Sequence, residues 1–150
     1  MSVTNTACGR LFVAIATCLV ISAALALSSC GYGENKTIAE SGVVSFHSQL
    51  NAGQIDAIYS GADDTFRKAT TQPDFDAFMG AVHRKLGDVQ QAQLTNYQTG
   101  YFTGQGAVVT LVYHTQFAAG AGTEQFIWRI QHKRPLLVGY RINSNALILK

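Results

Sequence analysis

Four histidines, His47, His83, His114 and His132, are the side chains in this sequence best suited to proton transfer near neutral pH or to holding a metal ion. None stands in an HxH or HExxH spacing, so a metal site would have to be assembled from separate elements, and neither a metal nor another cofactor is expected. His47 lies between Val43 and Leu50, and His83 lies beside Met79 and Leu86. Both occupy the shoulders of apolar stripes, where a hydrogen-bonded structural histidine is the commoner outcome. Tyr59, Tyr113 and Tyr140 could offer hydroxyls to a buried site that uses an imidazole or a carboxylate as base. The acids gather instead at Asp63, Asp64, Asp74 and Asp76, where helix starts and solvent account for them, and no Asp or Glu is expected on an inward strand position. No catalytic residue is therefore assigned. His47, Tyr59, His83, Tyr113, Trp128 and Tyr140 remain as the lining of a candidate pocket.

Other patterns have simple structural explanations. Gly100, Gly104 and Gly106 lack the following helix and Lys that a phosphate loop needs, and a hairpin turn accounts for them. Arg67 and Lys68, with Thr70, could line the mouth of a pocket and receive an anion, although a solvated helix face is the simpler reading. The formal charge is only +2 and no Lys/Arg cluster occurs, so a nucleic-acid partner is not expected.

The elements that must position these side chains fall into two halves. Glu34 to Leu50 carries Ile38, Val43, Phe46 and Leu50 at near-helical spacing and stops where Gly53 can take the left-handed conformation. Short helices are expected over Gln54–Tyr59 and through Phe66. Another opens at Pro73 and carries the stripe Phe75, Phe78, Met79, Val82 and Leu86 up to Gly87. The second half predicts strands over Val89–Tyr97, Ala107–Phe117, Gln125–His132 and Leu136–Leu149. Alternation turns Val109, Leu111, Tyr113 and Phe117 inward, together with Phe126, Trp128, Ile130, Val138, Tyr140 and Ile142. It leaves Val108, Val112, Ile127 and Leu137 outside with His114, Arg129 and Arg141. Helices followed by consecutive antiparallel strands predict an α+β fold in one domain.

Ahead of that domain runs an uncharged apolar stretch, Leu11 to Leu27, preceded by Arg10 and followed by small residues. This is the layout of a secretory signal, though the run is also at the lower edge of a membrane-spanning length. Leu27, Ser28, Ser29 and Cys30 resemble the lipobox of bacterial lipoproteins. The resemblance implies a signal peptide over 1–29, acyl chains on Cys30 that anchor the protein in a membrane, and a short tether over 30–35. Several acyl chains anchor durably, since each buried CH2 contributes about 0.8 kcal/mol. Cys8 and Cys18 would leave with the signal, and the mature chain would then have no free thiol for catalysis or metal. Gly31 after the cysteine, by resemblance to enterobacterial sorting, implies the bacterial cell envelope at the outer membrane, facing the periplasm.

Three helices packed on a curved four-stranded antiparallel sheet resemble the cystatin-like cone, the fold of nuclear transport factor two and ketosteroid isomerase. The segments Phe46 through Tyr59, Phe66 through Thr70, His83 through Gly87, Glu124-Gln125-Phe126 and Gly139 through Ser144 are similar to bacterial lipoproteins of unknown function with that fold. The resemblance implies a cone domain over 36–150, and the lack of an inward acid on the strands makes binding of a ligand or partner without chemistry the expected role. The alternative is a small isomerase or hydrolase using the interior of the cone, but ketosteroid isomerase's catalytic Asp has no counterpart here. The outer apolar residues Val108, Val112, Ile127 and Leu137 suggest a weak homodimer or an envelope protein partner at that face.

Overall fold

The structure is a computed structural model, and it describes residues 30–102 and 106–149. The expected signal peptide, residues 1–29, lies outside the described residues, as does the side chain of Cys30. Residues 35–150 form one compact unit. Helix α1 spans Cys30–Asn51, α2 Ile55–Ser60, α3 Asp64–Ala69 and α4 Gln72–Leu86. Four strands follow, β1 Val89–Phe102, β2 Gly106–Phe117, β3 Gly120–Gln131 and β4 Arg134–Asn143, before a last short helix, α5 Asn145–Leu149. The strands pair in sequence order, each antiparallel to the next. The fold is α+β, helices against a four-stranded antiparallel sheet.

Local chemistry sets the helix ends. At the end of α1 the Gly53 amide donates to Leu50 and the Gln54 amide to Gln49, with Gly53 at φ 69°. Only glycine enters that left-handed region without penalty, and the two bonds satisfy carbonyls the helix leaves open. Asp63 caps α3 by accepting from the Thr65 amide at 2.8 Å. Thr71 caps α4, while its hydroxyl also donates to Asp74. Helix α1 begins at Cys30, ahead of the expected Glu34, and so takes in residues expected as a tether.

The core lies between one sheet face and the helices. Ala39, Val43, Phe46 and Leu50 of α1 meet Phe75 and Met79 of α4 over Val109, Leu111, Phe126 and Trp128. Phe46 packs edge-on to Phe126 at 5.2 Å, and Trp128 stacks parallel to Phe126 at 6.1 Å. Each such large apolar side chain stabilises the fold by about 1.5–3 kcal/mol on full burial. A smaller cluster of Val82, Leu86 and Phe117 closes the other end with Ile142, Ala146 and Leu147. Trp128 is 5% exposed, as alternation with Phe126 and Ile130 predicts.

Three strand expectations require correction. β3 begins at Gly120, so Glu124 is in phase with Phe126 and Trp128 and points inward. β4 ends at Asn143 and does not run to Leu149, because residues 145–149 turn into α5. Between β3 and β4, Ile127 pairs with Gly139 and Trp128 with Leu137, leaving Val138 as an extra bulged residue. A bulge reverses the side-chain phase, so Leu137 is buried in the core at 2% exposure. It does not belong to the outer apolar patch, and Tyr140 keeps its inward position through the bulge.

Close approach of α1 to the β3–β4 hairpin depends on Gly42. A Cβ there would lie 3.0 Å from Pro135 Cβ and 3.1 Å from Trp128 Cη2. The hairpin turns at His132 and Lys133, with φ of 50° and 59°. These are the dihedral signs a two-residue type I′ turn demands, here met by residues with a Cβ.

Candidate functional site

Two regions carry polar groups in unusual settings. The first lies inside the core, where Glu124, fully buried, receives three partners. One of its oxygens lies 2.8 Å from His47 Nε2 and also accepts the Thr115 hydroxyl; the other accepts the Tyr140 hydroxyl at 2.6 Å. His47 comes from α1, Thr115 from β2, Glu124 from β3 and Tyr140 from β4. Phe46 and Phe126 pack around the group, with the His47 ring 5.6 Å from Phe126 and the Tyr140 ring 4.9 Å from Phe46. Burial, and then the carboxylate it donates to, hold the Tyr140 hydroxyl well above the usual tyrosine range. A buried carboxylate without partners would be strongly unfavourable, and these three donors offset its desolvation.

The second region borders the same stretch of α1 and shares Phe46 with the first. A cavity of about 260 Å³ opens between α1, α2 and the β3–β4 hairpin, lined by Phe46, Ile58, Trp128, Pro135 and Leu137, with Ser45, Gln49 and Arg134 among its polar neighbours. An adjacent cavity of about 370 Å³ is lined by Asp63, Asp64, Arg67, Arg129 and Arg134. Gly61 and Arg134 line both. Asp63 is held by both carboxylate oxygens on Arg129 Nη1, at 2.8 and 3.0 Å, and its own amide donates to Leu137. Burial alone would raise the Asp63 carboxyl, but the Thr65 hydrogen bonds and the Arg129 charge outweigh it and hold it below its ordinary 3.8. Arg67 reaches Asp64 and the carbonyls of Ser60 and Ala62.

Of the six candidate pocket residues, only Trp128 lines either of these two cavities. Trp128 lines the first; His47 and Tyr140 belong to the Glu124 cluster, which lines neither. Tyr113 is buried edge-on to Phe126, and burial pushes its hydroxyl up to about 12. Tyr59 packs on Phe66 and Phe75 and donates to the Thr70 carbonyl at 2.9 Å, closing the end of α3. His83 pairs with Asp88 at 2.8 Å on the surface beyond α4. His114 and His132 are exposed. Among the described residues no three His, Cys, Asp or Glu side chains are grouped to hold a metal, and no helix is long and apolar enough to cross a membrane.

Sequence reasoning missed Glu124, Thr115 and Arg134. Glu124 does carry a signal, since it alternates with Phe126, Trp128 and Ile130, but the strand expected from Gln125 begins five residues after the true start at Gly120 and leaves it out. Thr115 likewise alternates with Tyr113 and Phe117. Arg134 gives no such signal, because only the turn of the hairpin brings it beside α2.

A search of the curated proteins finds no match. A family model described as a protein of unknown function (DUF4019) matches residues 44–140. That span runs from within α1 to within β4, and it takes in His47, Thr115, Glu124, Tyr140, Trp128 and Arg134. Matched over more than half its length, the chain belongs to the DUF4019 family.

Proposed function

We propose that this chain is a lipid-anchored cell-envelope protein whose domain binds a small ligand without chemical change. The anchoring part rests on Leu27-Ser28-Ser29-Cys30 at the end of an uncharged run. Gly31 favours an outer-membrane address facing the periplasm, and the helix-then-sheet order supports a cystatin-like cone. Cys30→Ser should abolish incorporation of labelled palmitate and leave the precursor uncut. Unchanged processing and unchanged membrane association of that variant would remove the anchor from this reading.

The observation that carries the binding part is the separation of polar chemistry from open space. Catalysis needs titratable groups beside room for a substrate. Here His47 and Tyr140 meet Glu124 inside the core, while the cavity at Trp128 presents a wall part apolar, from Ile58, Trp128, Pro135 and Leu137, and part polar, from Ser45, Gln49 and Arg134. The sole tryptophan lines that cavity, so its emission reports occupancy. Short amphiphiles should change Trp128 emission saturably, and Ala57→Phe, which fills the cavity from an exposed helix position, should abolish the change.

The second reading, a small isomerase or hydrolase using the interior, is favoured by the same cluster of carboxylate, imidazole and hydroxyls. It requires that core to open to substrate. Rapid solvent exchange of the Tyr140 hydroxyl proton would support it, and a long-lived proton resonance would count against it.

A further inference from the structure

We propose that the paired cavities form one site for a small amphipathic anion, a short apolar chain ending in a carboxylate or phosphate. This deepens the binding reading above and rests on it. The two cavities share Gly61 and Arg134, so an occupant of the first can continue into the second. Their chemistry differs in the way such a molecule requires. Ile58, Trp128, Pro135 and Leu137 offer an apolar wall, and a volume of about 260 Å³ suits a short chain, being near the small end of ligand sites.

The second cavity is positively biased. Three guanidiniums, Arg67, Arg129 and Arg134, face two carboxylates, Asp63 and Asp64. Arg129 is engaged by Asp63 and Arg67 by Asp64. Arg134 has no side-chain hydrogen-bond or ion-pair partner among the described residues, and it stands where the two cavities meet. A guanidinium matches either carboxylate or phosphate with two parallel donors. Trp128 borders the first cavity with its ring, while its Nε1 is buried with no partner among the described residues, so an occupant would meet the ring by apolar contact.

The test uses the full chain in phosphatidylcholine nanodiscs, titrated with octanoate, octyl phosphate, octanol and inorganic phosphate while Trp128 emission is followed. Octanoate or octyl phosphate should saturate the signal, and the tighter of the two identifies the head group. Octanol should bind at least about tenfold more weakly for want of one hydrogen bond to a charged group, and inorganic phosphate at least about tenfold more weakly for want of the buried chain. Arg134→Ala should weaken the anion by a similar factor, with Arg134→Lys recovering part of it. If octanol binds as tightly as octanoate and Arg134→Ala changes nothing, the anionic class is wrong while the binding domain stands. If inorganic phosphate alone binds as well, the apolar chain has no role. If no probe alters the emission of folded protein, both this site and the binding reading fall. Retained binding in folded Ala57→Phe would move the site elsewhere.

Discussion

The Glu124 cluster and the Trp128 cavity are neighbours across the same aromatic side chains, Phe46 and Phe126, and they handle polarity in opposite ways. At the first, a carboxylate from the middle of β3 meets three donors from three other elements, and every partner is inside the protein. At the second, the Arg134 guanidinium keeps hydrogen-bonding capacity that no described residue uses. A satisfied buried network specifies how elements fit together; unspent donors beside a cavity suit recognition. Titratable residues in a core therefore do not mark a site by themselves. What surrounds them decides.

The largest effect is expected at Glu124. Glu124→Ala should destabilise the domain by about 3–5 kcal/mol in urea unfolding, because His47, Thr115 and Tyr140 lose a buried shared acceptor. A loss under about 1 kcal/mol would mean water already reaches the cluster. Trp128→Ala should follow at about 3 kcal/mol, the low end for a buried aromatic, since one side of the ring already borders a cavity. The wild-type emission maximum should be blue-shifted, and a solvent-like maximum would show that the ring is exposed.

Gly42→Ala probes the close approach of α1 to the hairpin. The added methyl meets Pro135 and Trp128 at about van der Waals overlap, so a cost of about 1–3 kcal/mol in thermal unfolding is expected. A neutral result would show that α1 can slide away from the hairpin freely.

The two regions should also fail at opposite extremes of pH. Tyr140 has a raised folded-state pKa, so its stabilisation is complete below the ordinary tyrosine value of 10.0 and is lost as pH climbs above it. Tyr113, pushed to about 12, adds to the same alkaline loss. Asp63 has a lowered pKa, so its stabilisation is complete above 3.8 and is lost as pH falls through the lower folded-state value. Unfolding free energies across pH should therefore lose the acid arm in Asp63→Asn and part of the alkaline arm in Tyr140→Phe. An unchanged acid arm in Asp63→Asn would assign it to other carboxylates. The smallest effect is expected at the turn, where His132→Asn should stabilise by up to about 1 kcal/mol, Asn tolerating positive φ better.

Much of this architecture is legible along the chain because it follows local rules. The stripe through Phe75, Met79, Val82 and Leu86 marks α4, Gly53 marks the end of α1, and alternation through Val109, Leu111 and Tyr113 marks the buried face of β2. Each depends on period and φ preference within one element. The order of helices and strands then determines the α+β class, since consecutive short connections pair neighbouring strands antiparallel.

Tertiary structure decided what pattern could not. The bulge at Val138 reversed the phase of β4, which buried Leu137 and kept Tyr140 inward, and no local property of Leu136-Leu137-Val138 marks where an extra residue is absorbed. Glu124 counts as a core residue only because His47, Thr115 and Tyr140 arrive from elements distant in sequence, which makes burial of a carboxylate tolerable. Arg134 meets Arg67 and Arg129 only after the β3–β4 hairpin folds back beside α2. Period and backbone preference are properties of a few neighbouring residues, whereas desolvation and its compensation depend on every group brought within a few ångströms. The elements could therefore be read from the sequence, while the site had to wait for the fold.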